Sequence, residues 1–211
     1  RNSELDNYNI GIKHILNQGF FVIRMGKNMK KKLNFKHPKL IDYSFDIEKN
    51  DCLDIWLFAN CFGTISTGTG PDVLSSIYNK PILFINFLPL LYLHSFSHSI
   101  TIPKTLIWKN NKKKLTLIQM EKYSFQNYYD YEKNGIEIID LTPDEILRGF
   151  KEFLLSITNP EKNDNNDIFL QKQFWNELKK TKIFEKSHGF IHPKASISTS
   201  FLKHNNDWFL N

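Results

Sequence analysis

Cysteine is scarce in this chain. Cys52 and Cys61 are the two present among 211 residues, too few for a disulfide framework or a cysteine-rich metal cluster. Both fall in an amphipathic segment and read as buried thiols of a reducing compartment. No apolar run approaches the roughly 20 residues that a membrane-spanning helix needs, and the opening residues lead us to expect no leader peptide. Finger spacing, an arginine-rich stripe and a homeodomain-like helix are all missing, so nucleic acid is not an expected partner. Neither GxxxxGK[ST] nor GxGxxG occurs. Short carboxylate spacings such as Asp51 with Asp54, or Asp164 with Asp167, have simpler accounts as helix caps or solvated loop residues. No internal repeat is present, and the one biased tract is a polar joint, NPEKNDNND.

What the chain does have is bulk: 41% hydrophobic residues with 18 Phe, 8 Tyr and 4 Trp, enough for one good core. The formal charge of +6 is mostly lysine, with KKK at 30–32 and again at 112–114. A solvated lysine surface is the plain account; attraction to nucleotide phosphates or to an anionic membrane face is the functional one. The chain opens on Arg1 directly before a helical pattern, which leads us to expect a processed or truncated product.

Apolar positions from Glu4 to Asn17 recur at helical spacing, and Gly19 stops that helix before the strand FFVIRMG. KLIDYSF reads as a second strand, Glu48–Asn60 as a helix whose apolar face lies on a sheet, and Phe62–Ser66 as a third strand. A helix over Asp72–Tyr78 leads into ILFIN, the wholly apolar pattern of a parallel strand covered on both faces. Strand and helix alternating in this way predict an α/β fold, a Rossmann-like doubly wound parallel sheet. Beyond Asn86 we expect a long aromatic connection, a short extended piece at IPKTLIWKN, a helical piece at KKKLTLIQMEKY, a strand, and a strong helix capped by Thr142. The expected organisation is a ligand-binding domain over 1–158 and a C-terminal helical extension over 159–211 that packs on it.

The stretch ISTGTGPD, Ile65 to Asp72, lies between a strand and a helix. Glycine-rich turns in that position can aim backbone N–H groups at an anion, backed by the helix dipole. Ser66, Thr67 and Thr69 add hydroxyls, while Gly68 and Gly70 permit close approach. A helix capped on Thr67 or Thr69, with no ligand, fits the same residues. Arg24 sits near the carboxyl end of its strand, where open sheets place ligands, although a structural ion pair would equally account for it. His94 and His98 stand four apart without a third ligand in register, so no metal site is expected. His188, His192 and His204 read as solvent-facing, and no carboxylate pair is spaced for acid–base work.

Further residues carry a resemblance. RNSELDNYNIGIKHILNQGFFVIRMG, IDYSF, DCLDIWLFANCFGTISTGTGPDVLSSIYNKPILFINFLPL, IPKTLIWK and ASISTSFLKHNNDWFL resemble the C-terminal portion of a family of bacterial surface-polysaccharide glycosyltransferases of unassigned acceptor. A strand, STGTGPD, a helix and NKPILFIN are similar to the donor-binding half of GT-B enzymes and the related nucleotide-sugar 2-epimerases. That resemblance implies that Ser66, Thr67, Gly68, Thr69 and Gly70 line a diphosphate region, with Arg24 and Lys27 near it and Asp72 toward the sugar or the helix start. It implies a nucleotide-sugar as substrate, a glycan or lipid-linked acceptor, a partnering N-terminal domain, and no cofactor or metal, in keeping with the lack of a DxD pair. A catalytic base would come from the other domain, so this chain would be inactive by itself. A cytoplasmic location is implied, peripheral at the inner membrane if FLPLLYLHSF touches lipid; that stretch fits a core or domain-contact role better. A 2-epimerase and a non-catalytic nucleotide-sugar-binding domain are the alternatives.

Overall fold

The computed structural model describes residues 3–27, 29–125, 127–159 and 164–210. The chain begins with a short 3-10 turn, Leu5–Tyr8, that runs into helix α1, Asn9–Asn17. Gly19, at φ +91°, turns the chain out of the helix in a left-handed conformation that a side chain would disfavour. Strand β1, Val22–Ile23, then pairs in parallel with β2, Leu40–Ile41. Helix α2, Asp51–Asn60, starts where the Asn50 side chain accepts a hydrogen bond from Leu53 N–H.

The main sheet follows. Strands β3 (Thr64–Ser66), β4 (Ile82–Phe87) and β5 (Ser99–Pro103) lie side by side, joined through helix α3 (Asp72–Ile77) and an aromatic crossover. β6 (Thr105–Trp108) and β7 (Ile136–Ile139) form a separate antiparallel ribbon, with helices α4 (Leu117–Lys122) and α5 (Tyr128–Lys133) between them. Helix α6, Pro143–Thr158, starts with a capping box in which Thr142 and Glu145 satisfy each other's backbone N–H groups. Helices α7 (Asn165–Leu178) and α8 (Lys182–Ser187), strand β8 (Ala195–Ile197) and helix α9 (Thr199–Phe209) complete the chain.

Strand order in the main sheet is β3-β4-β5-β8, and every pairing is parallel. The architecture is therefore α/β with a parallel sheet flanked by helices, consistent with a Rossmann-like fold. All six residues of β4 and all five of β5 are buried. At roughly 1.5–3 kcal/mol for each large apolar side chain removed from water, these two strands anchor the core. α6 covers them, with Ile146, Phe150 and Phe153 buried against the sheet, and its Gly149 lets the helix approach Ile102.

Three sequence expectations change. IPKTLIWKN is read as one short extended piece, whereas the buried strand there starts earlier, at Ser99, and the chain bends at Lys104 into a different ribbon. The tail beyond residue 159 is more than a helical extension, because Ala195–Ile197 pairs with Ser99–Thr101 as the fourth strand of the main sheet. α2 buries only Phe58 and leaves Ile55 and Trp56 exposed, so it does not lie on the sheet as its composition suggests. FLPLLYLHSF serves the core: Leu88, Leu90, Leu91 and Leu93 are buried.

Candidate functional site at the carboxyl edge of the sheet

The carboxyl ends of parallel strands are where open α/β sheets hold their ligands. Here that edge gathers the loop after β3, the end of β4 at Asn86 and Phe87, and Lys104 after β5. The loop residues Ser66 to Asp72 curl over the start of α3. Asp72 is 3% exposed, and one of its carboxylate oxygens accepts from the Ser66 hydroxyl at 2.6 Å and from Thr69 N–H at 2.7 Å. Ser66 Oγ in turn accepts from Gly68 N–H at 3.1 Å. Gly68 takes φ +74°, and a Cβ there would stand 3.0 Å from the Phe87 ring, so both the turn and the close approach require glycine. Gly70, by contrast, borders open space.

This geometry corrects the expected anion cradle. The N–H groups of Gly68 and Thr69 are committed to the protein's own oxygens, and the acceptor beneath them is a buried carboxylate. A phosphate approaching those two amides would compete with Asp72 and meet its negative charge. The hydroxyls of Thr67 and Thr69 and the open side of Gly70 remain as the loop's rim.

Arg24 lies at the end of β1, as expected, but its guanidinium is engaged. It donates to Asp42 at 3.1 Å and to the Lys31 carbonyl at 2.8 Å. Burial pushes the Asp42 carboxyl up, yet hydrogen bonds from Ser44 and Leu33 N–H, together with Arg24, outweigh it and hold Asp42 below the ordinary carboxylate range. Lys27 is well exposed, its ammonium 4.0 Å from Asp51. The structure thus brings Ser66, Thr67, Gly68, Thr69, Gly70 and Asp72 into one loop. Arg24 and Lys27 stand on the separate β1–β2 unit.

A second polar cluster on this edge escaped the sequence reading. Lys104 is 2% exposed by its side chain and donates to Asp140 at 2.6 Å, while Asp140 is 34% exposed. The Lys104 ammonium also stands 5.1 Å from the centre of the Tyr128 ring. Burial pulls the Lys104 pKa down, but hydrogen bonding to Asp140 and Tyr128 prevails and raises it above its ordinary value, so the group stays cationic. Asn86, at φ +56°, donates to Ser3 Oγ and Tyr8 Oη, each at 3.3 Å, and accepts from Leu141 N–H at 2.8 Å. Burial raises the Tyr8 phenol pKa. The cluster thus holds a fixed cation beside polar side chains at the ends of two buried strands. The available signal was a polar residue closing each apolar run, Asn86 after ILFI and Lys104 after ITIP.

His94 sits in the expected aromatic connection, stacked on Phe96 and edge-on to Phe84. Burial lowers its pKa, with Asp72 opposing, which places it within electrostatic reach of the loop. His188 is buried rather than solvent-facing, its ring nitrogens 2.9 Å from Ser95 Oγ and 2.8 Å from the Leu91 carbonyl. Among the described residues no group of three His, Cys, Asp or Glu is placed to hold a metal ion. No helix among them is long and apolar enough to cross a membrane.

Fold and edge together define an α/β protein with a polar, partly open carboxyl edge. Comparison with family models, with curated proteins and with solved structures finds no match.

Proposed function

We propose that this chain is the donor-binding half of a glycosyltransferase, taking a nucleotide-sugar at the carboxyl edge of the β3-β4-β5-β8 sheet for transfer of the sugar to a hydroxyl acceptor. The observation that carries the reading is the convergence on that edge of the glycine-containing loop, shaped by Asp72, and the buried Lys104 ammonium. In this arrangement the loop's hydroxyl rim and the space beside Gly70 face the sugar or ribose hydroxyls. Lys104 faces the phosphates only as one half of its ion pair with Asp140, and acts as a cation there when the phosphate displaces that carboxylate. Transfer breaks the bond between the anomeric carbon and the phosphate oxygen and forms one to the acceptor oxygen, whose proton leaves to a base. Negative charge grows on the departing diphosphate, and a pre-placed cation and hydroxyl donors favour that change. The base is assigned to the partnering domain that the resemblance implies.

The test is thermal unfolding with UDP-, GDP-, CMP- and dTDP-sugars, each against its free nucleotide, on the native chain and on T67A/T69A. A ligand at a hundred times its Kd adds about 2.7 kcal/mol, which for a chain of this size raises Tm by roughly 5–10 °C. One donor class is expected to do this, and less strongly in the variant. Stabilisation by none, or an equal shift in T67A/T69A, overturns the site. Binding without release of nucleoside diphosphate, even with the partnering domain and an acceptor present, points instead to a domain that only binds.

A further inference from the structure

The carboxyl edge holds two features that attract an anion, the loop amides and Lys104, and each is already matched by a carboxylate of the chain itself. Asp72 accepts from Thr69 N–H at 2.7 Å and from the Ser66 hydroxyl at 2.6 Å. Asp140 accepts from the Lys104 ammonium at 2.6 Å. The two carboxylates are held very differently. Asp72 is 3% exposed and tied by two donors, so it stays where it is. Asp140 has a side chain 34% exposed, and among the described residues Lys104 is its single hydrogen-bond and ion-pair partner.

Lys104 is fixed where Asp140 is free to turn. Its side chain is 2% exposed, its ammonium lies 5.1 Å from the centre of the Tyr128 ring, and its backbone N–H donates to the Phe87 carbonyl at the end of β4. Removing Asp140 alone would leave a buried cation without a partner, which is strongly unfavourable. The carboxylate therefore leaves only for another anion. A neutral ligand offers nothing in exchange. A carboxylate from another molecule replaces like with like and forfeits the advantage of a group already tethered beside the ammonium. A diphosphate, with several negative charges on adjoining groups, gains by the exchange.

We propose that Asp140 is a built-in counter-anion that makes this edge selective for a diphosphate: the ligand takes the place of Asp140 on Lys104, and the carboxylate turns out to the rim. This assignment rests on the reading that ligand phosphates come to Lys104, and it sets the charge a ligand needs in order to do so. It also puts the diphosphate at the end of β5 rather than on the amides of Gly68 and Thr69, where the competing carboxylate is buried and does not yield. Asp140 is thus a residue that determines specificity through what it excludes. Neutral sugars and single carboxylates leave the Lys104–Asp140 pair closed.

The experiment is calorimetric titration and thermal unfolding of the full chain with inorganic pyrophosphate, acetate and glucose, and with the UDP-, GDP-, CMP- and dTDP-sugars, on wild type, D140N and K104M/D140N. Wild type is expected to bind pyrophosphate more tightly than acetate by roughly tenfold or more, and glucose not at all. D140N, freed of the competing carboxylate, should bind pyrophosphate roughly tenfold more tightly than wild type, and its lowered Tm should rise toward the wild-type value as the anion fills the gap. K104M/D140N, with neither charge buried, should keep a near-native Tm and lose the pyrophosphate response, which separates lost binding from lost folding. No binding of pyrophosphate, equal affinity for acetate, an affinity in D140N no higher than in wild type, or wild-type affinity in K104M/D140N overturns the proposal. The expected pyrophosphate pattern without a response to any nucleotide-sugar keeps the exchange and removes the donor-binding reading. A nucleotide-sugar that stabilises all three proteins equally keeps that reading and removes the exchange.

Discussion

Asp72→Ala tests whether one buried carboxylate holds the glycine-containing loop in shape. Its oxygen accepts from the Ser66 hydroxyl at 2.6 Å and from Thr69 N–H at 2.7 Å, and the residue is almost fully buried. A hydrogen bond to a charged acceptor contributes about 1.5–3 kcal/mol. The two do not simply add, because the freed Ser66 hydroxyl can rotate and Thr69, which is exposed, can take water. The expected loss is therefore about 2–4 kcal/mol, or roughly 5–15 °C in Tm for a chain of this length. Asp72→Asn keeps the volume and one acceptor oxygen but turns an NH2 group toward a donor, so about half that loss is expected. Urea unfolding of the two variants beside wild type gives the numbers. The D72N change also removes a negative charge from under the loop, so any anion that approaches the rim should bind more tightly to this variant than to wild type once it is folded. If D72A unfolds within about 0.5 kcal/mol of wild type, the carboxylate is not what shapes the loop, and the account of the closed amides fails.

The Lys104–Asp140 pair should respond asymmetrically. Asp140→Asn strands a buried ammonium and is expected to cost about 3 kcal/mol, whereas Lys104→Met leaves a carboxylate that is a third exposed and able to hydrate, at about 1–2 kcal/mol; denaturant titration that reverses this order would refute it. His98 has its pKa lowered to about 4 by burial, with Lys194 and His192 adding to the effect. Its folded pKa lies below the unfolded value of about 6.5, so the unfolded chain binds more protons between the two. Stability is thus whole above that range and falls as pH drops from about 6.5 toward 4. Replacing His98 with Asn should flatten that slope in unfolding measurements at stepped pH, and an unchanged slope would assign it elsewhere. Gly11→Ala adds a Cβ at 2.7 Å from the Phe150 ring. Despite the gain in helix propensity of about 1 kcal/mol, the variant should be less stable by roughly 1–2 kcal/mol, and a rise in Tm would mean that α1 and α6 can separate freely.

How far the sequence could be read depended on how local each cause was. The fully apolar ILFIN run and its strand partners are local patterns, and the parallel β3-β4 pair appears where periodicity puts it. The Thr142 cap is likewise written in four consecutive residues. β8 was missed because ASI is too short and too mixed to read as a strand alone. It becomes one by completing the edge of β5, a partner nearly a hundred positions away. The loop gives the sharpest contrast. Its place at the end of a strand follows from glycine and proline spacing, but the direction of its amides depends on which acceptor captures them. Thr69-Gly-Pro-Asp72 has the spacing of a helix start in which an acidic side chain folds back on the backbone. A capping reading of that acid forecasts the Thr69 N–H bond, whereas a ligand reading of the glycines leaves the amide open. The Lys104–Asp140 contact spans 36 positions, and the Asn86–Tyr8 contact spans 78, so neither has a local signature. Groups buried at strand ends need partners. Asking what satisfies the polar residue that closes each apolar run would have marked Asn86 and Lys104 from the sequence, but not their distant partners.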